Sequence, residues 1–298
     1  MTAPVVGLVW IPVLAWVGVG VGLLLAYRRS TSTIVFRLAA VFLAFWAVFA
    51  TTGLFWVLSA GGWNAVVRLA SAPEIIFEPR FFVAWVIGAL GAFGIFLTAF
   101  LLSQLVGRGF LALHRTRSLE WPPRVPRPST PTSLLALDSP RPDAFSFTLF
   151  EPGGRLAVRR RDVIVLSDGL LRILSSAESE AVVAHELGHI RELDGRYLTF
   201  FRTLSRMMRW DPILAYLASR LTEREEFRAD ADAVEITRRP RALARALYKA
   251  SLSGGARSWV VPGLLGTAGR RGRLQTAERI RQLVALAESG RFPEELGE

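Results

Sequence analysis

His185, Glu186 and His189 stand in the run AHELGHIRELD (184–194) as an HExxH pattern. Residues four apart share one face of a helix, so the two imidazoles can present nitrogen to a single cation. Glu186 is turned by about 100° from His185, which leaves its carboxylate beside the open coordination position and not on the metal. There it can take a proton from water whose pKa the ion lowers towards 7. That is hydrolytic chemistry. It requires one more protein ligand, because catalytic zinc sites commonly use three.

The chain has 298 residues, no cysteine and only three histidines, His114, His185 and His189. Thiolate ligands and disulfides are therefore excluded, and the third ligand is a carboxylate or His114. His114 lies beside Arg115, between an apolar and a proline-rich segment. An interfacial histidine there needs no special role. Downstream, TEREEFRADADAVEIT offers Glu223, Glu225, Glu226, Asp230, Asp232 and Glu235. Glu226 and Asp230 are four apart and share a helix face. Glu226 can complete the zinc shell while Asp230 accepts the second ring N–H of a histidine ligand, which fixes its tautomer. Ala229, Ala231 and Ala233, with Gly188 on the other helix, allow the two helices to approach closely. Glu223 and Glu225 read as a solvated face paired with arginines.

The elements that must position these groups are also signalled. Ser175 followed by Glu178 is a capping box for a helix through about Leu193, with Asp194-Gly195 as its stop. DAFSFTLF (143–150) and RDVIVLSDGL (161–170) read as strands joined by the turn EPGGR. Further helices are predicted over 221–237 and 241–252, with TAERIRQLVALAES (276–289) as the last and the glycine-rich piece 254–272 as a loop. Residues 197–220 read as a pair of amphipathic helices interrupted at Pro212, with a membrane span as the competing reading. The domain expected from these elements, 143–298, is α+β and zincin-like, mainly helical with a small sheet.

The rest of the chain is of another kind. Hydrophobic residues make up 51% of the sequence, yet its formal charge is +11. This points to one apolar and one basic population, not to an average globule. Uncharged stretches at 5–27, 38–61 and 81–105 are each long enough to cross a hydrocarbon core about 30 Å thick, making 1–107 a region of three predicted spans. The loop arginines Arg28, Arg29, Arg37, Arg108, Arg115 and Arg117 place the N-terminus outside and the following domain in the cytosol; the membrane expected is a prokaryotic cell membrane. A proline-rich juxtamembrane linker is predicted over 108–142. No nucleic-acid-binding pattern accompanies the basic charge, so its expected partner is the anionic lipid bilayer.

AHELGHIRELD followed by EEFRADADA resembles the membrane zinc peptidases of the HtpX heat-shock protease and CAAX-prenyl-protease kind, gluzincins with HExxH and a later ExxxD. DAFSF, LSDGLL and AERIRQL resemble further segments of that family, and the likeness covers roughly 143–290. Asp143 departs from the family's usual asparagine, and the His-Pro that usually precedes the late Arg-Ile segment is absent. Three spans before the motif give a layout closer to the BlaR-type sensor peptidases. The resemblance implies one zinc per chain on His185, His189 and Glu226, Glu186 as general base, and Asp230 and Asp194 as partners behind the ligands. It also implies polypeptide substrates, held in extended form along an edge strand at Ala144, Phe145, Ser146 and Phe147, and a stress-response role in quality control of membrane proteins. Regulated cleavage in a signalling pathway uses the same chemistry, and substrate trapping separates the two. A zinc-stabilised scaffold is the non-enzymatic alternative, one that has no need of Glu186.

Overall fold

A computed structural model describes residues 18, 21–22, 40–49, 79–152, 158–191, 194–252 and 270–289. Two compact units divide the chain: 1–100 with 203–217, and 101–202 with 218–298. In the first unit, helix α1 (Ala40–Phe49) lies in the second predicted span. Helix α2 (Pro79–Leu113) takes in the third and runs past its predicted end. Phe45 meets Phe96 edge-on at 5.7 Å. Phe42, Leu90 and Phe93 stay exposed. Among the described residues one helix, Val86–Leu113, is long and apolar enough to cross a membrane. The predicted span 5–27 and the rest of 38–61 lie almost wholly outside the described residues.

The second unit is built on a four-stranded mixed sheet. Its strands are β1 (Thr116–Ser118), β2 (Thr132–Leu137), β3 (Ala144–Pro152) and β4 (Val158–Ser167), in the spatial order β1-β2-β4-β3. β2 runs parallel to β4, and the other two pairings are antiparallel. The stretch 108–142 is thus no tether, because it supplies the end of α2 and two of the strands. Its prolines bracket β2 without entering it: Pro131 precedes the strand and Pro140 follows it. The Pro131 carbonyl accepts from Asp162 N–H, so even the bracket joins the ladder.

Alternation along the strands separates two faces. Phe145, Phe147, Leu149, Val163 and Val165 form one core with Phe110 from the end of α2. Ala144, Ile164, Leu166 and Leu134 form the other, under the helices. A short helix, α3 (Asp168–Ile173), leaves β4 at Gly169, where any Cβ would come within 2.1 Å of the Pro140 carbonyl oxygen. Then follow α4 (Ser176–Arg191), α5 (Asp194–Met207), α6 (Pro212–Thr237), α7 (Pro240–Leu252) and α8 (Arg270–Glu288).

The capping box is present. Ser175 N–H donates to Glu178 Oε2 at 2.8 Å, and Glu178 N–H donates to Ser175 Oγ at 3.4 Å. Lys249, the only lysine of the chain, donates to the same Glu178 oxygen at 2.7 Å. Burial works to raise the Glu178 pKa, but the Lys249 ammonium outweighs it and holds this carboxyl below its ordinary value. Asp194-Gly195 does not stop a helix: α4 ends at Arg191, and Asp194 begins α5. The helix predicted over 221–237 begins earlier, at Pro212, and is continuous with the second amphipathic helix. Proline fits the first turn of a helix, where its missing N–H costs nothing. Asp211 caps that turn by accepting from the N–H groups of Ile213 and Leu214.

Candidate metal centre

Within the second unit, α4 packs against α6. Gly188 makes the approach close: a Cβ there would lie 3.2 Å from the Ala229 Cα and 3.2 Å from the Asp232 Cβ. Ala229 and Ala233 are buried in this contact zone, whereas Ala231 is exposed. The packing brings one ligand atom from each of His185, His189 and Glu226 within 4.8 Å of the others. Glu226 Oε2 lies 3.5 Å from His185 Nε2, and Glu226 Oε1 lies 3.9 Å from His189 Nε2. Ligand atoms on a tetrahedral zinc are about 3.3 Å apart, given bonds of about 2.0 Å, so these groups need only small movements to share an ion. His185 Nε2 is fully buried and has no hydrogen-bond partner, which is rare for a buried polar atom unless something else satisfies it.

The surrounding charge asks for a cation as well. Glu186, Glu226 and Asp230 are all buried, and Arg279 of α8 is the guanidinium set among them. Arg279 donates Nε and Nη2 to the two Asp230 oxygens at 2.6 and 2.7 Å, and Nη1 to Glu226 Oε2 at 2.8 Å. Burial raises the pKa of the Glu226 and Asp230 carboxyls, but the Arg279 charge prevails and holds both well below their usual range. One guanidinium facing three carboxylates leaves the site short of positive charge, which favours a proton or a cation on the imidazoles. Burial lowers the His185 pKa, yet its contacts to Asp230 and Glu226 carry it up to about 9. A divalent ion on Nε2 would take that proton's place. The donor set, two imidazoles and a carboxylate, is a fit for zinc.

The remaining groups predicted from sequence fall as follows. Asp230 Oδ1 lies 3.0 Å from His185 Nδ1, on the ring edge away from Glu226. Glu186 is buried, and burial pushes its carboxyl up to about 7. The Asp194 side chain lies outside the described residues. Ala144 to Phe147 sit on β3, which is an edge strand of the sheet, and Ser146 Oγ donates to the Glu186 carbonyl at 3.4 Å. The Phe145 and Phe147 side chains belong to the core on the opposite face of the sheet, with Phe110. His114 is exposed, stacked on Phe110, and bonded to the Phe110 carbonyl. Glu223 pairs with Arg220 at the surface. Glu225 does not share that solvated face: it is 1% exposed and pairs with Arg228 at 2.8 Å.

Arg279 is the group that motif reading passed over. It lies inside the AERIRQL segment, on the buried face of α8 with Thr276 and Leu283. Its place at the head of the late Arg-Ile segment was the available signal, since a buried arginine requires carboxylate partners.

The model of peptidase family M48 matches residues 116–287. A protein described as "Protease HtpX homolog" from Methanothermobacter thermautotrophicus is 25% identical over 233 residues, covering 63% of this chain and 86% of that protein. One of the same description from Dictyoglomus turgidum is 30% identical over 150 residues, covering 39% and 47%. The "Plastoglobule-localized metallopeptidase 48, chloroplastic" of Arabidopsis thaliana is 29% identical over 133 residues, covering 42% and 36%. The match thus spans most of the first relative and half or less of the other two.

Proposed function

The chain belongs to peptidase family M48, and from that premise we propose that it is a membrane-bound zinc endopeptidase acting on membrane or membrane-associated proteins. The observation that carries the reading is the convergence of His185, His189 and Glu226 on a buried, unpartnered imidazole nitrogen, with Glu186 on the same helix. Zinc held there would polarise the scissile carbonyl and lower the pKa of water. Glu186 takes the proton from the attacking water and delivers it to the leaving amine. Burial pushes that carboxyl up to about 7 in the protein without metal, and a cation beside it lowers it again and favours the base form. Asp230 orients His185 through Nδ1, and Arg279 keeps Asp230 and Glu226 ionised and in place. Asp194 is assigned, from the resemblance alone, as a further partner behind the ligands.

Substrate lies along β3, adding a strand by main-chain hydrogen bonds. The strand edge at Ala144 to Phe147, outermost in the sheet among the described residues, serves this through its backbone, since the Phe145 and Phe147 rings face away. Main-chain recognition tolerates many sequences, which suits quality control of damaged membrane proteins. The apolar helix Val86–Leu113 and the arginine distribution support an integral membrane protein with its N-terminus outside and its peptidase unit in the cytosol. The test is cleavage of casein by the full-length protein in detergent, beside Glu186→Gln. The variant is expected to keep its zinc and lose about 10²–10⁴-fold in rate. A variant that cleaves as fast as the parent would remove Glu186 from the chemistry.

A further inference from the structure

One buried charge cluster takes no part in the centre described above. Asp162, in the middle of β4, is fully buried among the strands. Its carboxylate accepts from Thr148 Oγ1 at 2.6 Å, from Thr130 Oγ1 at 2.9 Å, and from Arg160 Nε at 2.8–2.9 Å. Burying a charge is expensive unless every partner is supplied, and a sheet core does not need one. What the carboxylate achieves is to fix Arg160, whose Nη2 donates to the Ile190 carbonyl at 2.8 Å. Ile190 follows His189 directly, and α4 ends one residue later at Arg191. Its carbonyl belongs to the last turn of the helix, where carbonyls lack partners within the helix and a positive charge is favoured.

A second contact repeats the pattern one turn earlier. Ser146, on the same face of the sheet as Thr148 and Arg160, donates to the carbonyl of Glu186, the residue that follows His185. The sheet therefore grips α4 at the residue after each histidine, once through a hydroxyl and once through a guanidinium.

We propose that Arg160, braced by Asp162, is a positioning residue for the metal centre: it fixes the last turn of α4 and so the direction in which His189 presents its nitrogen. This rests on the reading of His185, His189 and Glu226 as zinc ligands. Arg160 touches neither metal nor substrate. Its removal frees the turn that carries His189, and the loss appears in metal binding and ligand geometry before it appears in folding.

The experiment uses the full-length protein in detergent and two readouts besides activity. Zinc affinity is measured by competition with a chromophoric chelator, and ligand geometry by the visible spectrum of the cobalt(II)-loaded protein. Arg160→Met is expected to bind zinc 10–100-fold more weakly, the usual cost of losing a group that orients a ligand, with an altered cobalt spectrum. Arg160→Lys, which keeps one donor but cannot fork between Asp162 and Ile190, recovers part of the affinity. Arg159→Met, at an exposed neighbouring position, leaves both readouts unchanged. Should Arg160→Met fail to fold, Asp162→Asn takes its place, with a smaller loss expected. Parental zinc affinity and cobalt spectrum in Arg160→Met, or in both Arg160→Lys and Asp162→Asn, overturn the proposal. A parent protein that binds no zinc overturns the reading of the centre itself, and this inference with it.

Discussion

One face of the four-stranded sheet carries Phe145, Phe147, Leu149, Val163 and Val165, with Arg161 bonded to Ser133 at its margin, whereas the face turned to α4 sets Ser146, Thr148, Asp162 and Arg160 between Ala144, Ile164 and Leu166. The two faces share strands and register, so the difference lies in what each is asked to hold. Apolar contact is non-directional, and a helix end packed by it can slide and turn at little cost. Hydrogen bonds inside a protein are directional, and leaving one unmade is costly. The face turned to the helix of the proposed centre is the one whose donors, Ser146 and Arg160, reach that helix.

Adjacent residues on β3 offer the cleanest way to break that comparison. Phe147→Ala should cost about 3–5 kcal/mol of stability, read by urea unfolding of the metal-free protein in detergent, and leave the zinc affinity of the folded protein unchanged. Thr148→Val keeps the volume but takes a donor from buried Asp162. It should cost less, about 1–3 kcal/mol, and yet weaken zinc binding. If Phe147→Ala disturbs zinc binding and Thr148→Val does not, the two faces do not divide the work in this way.

Much of the centre was legible because its information is local. HExxH and the pair Glu226 and Asp230 are i,i+4 relations, and the capping box at Ser175 and Glu178 is i,i+3; such spacings translate directly into helix faces. The close approach at Gly188 was legible too, from small residues on both helices. What escaped was long-range. Arg279 finds Asp230 and Glu226 across 49 and 53 residues, and no periodicity ties α8 to α6. β2 escaped because its prolines suggested a tether, while the evidence for a strand lies in its pairing with β4, from Thr132↔Asp162 to Leu137↔Ser167. Arg160 and Asp162 carried no signal in the sequence: the strand read there began at Arg161, with Arg160 outside it. Only the register, which puts Asp162 opposite Thr148, shows that they point inwards.

The central claim is that His185, His189 and Glu226 hold zinc, and its most direct test is zinc binding by the full-length protein as a function of pH, beside Glu226→Ala. His185 has its pKa raised from 6.5 to about 9 in the metal-free protein. The stability this contributes is present below about pH 6.5 and is lost as pH rises through 9, because the folded form then releases a proton that the unfolded form has already lost. Zinc must displace the same proton, so its affinity should run the other way, tightening as pH rises from 6 towards 9. The account predicts one zinc per parent chain, tighter binding with rising pH, and a large loss of affinity in Glu226→Ala. A parent protein without zinc, or a Glu226→Ala variant that binds it equally well, contradicts the account.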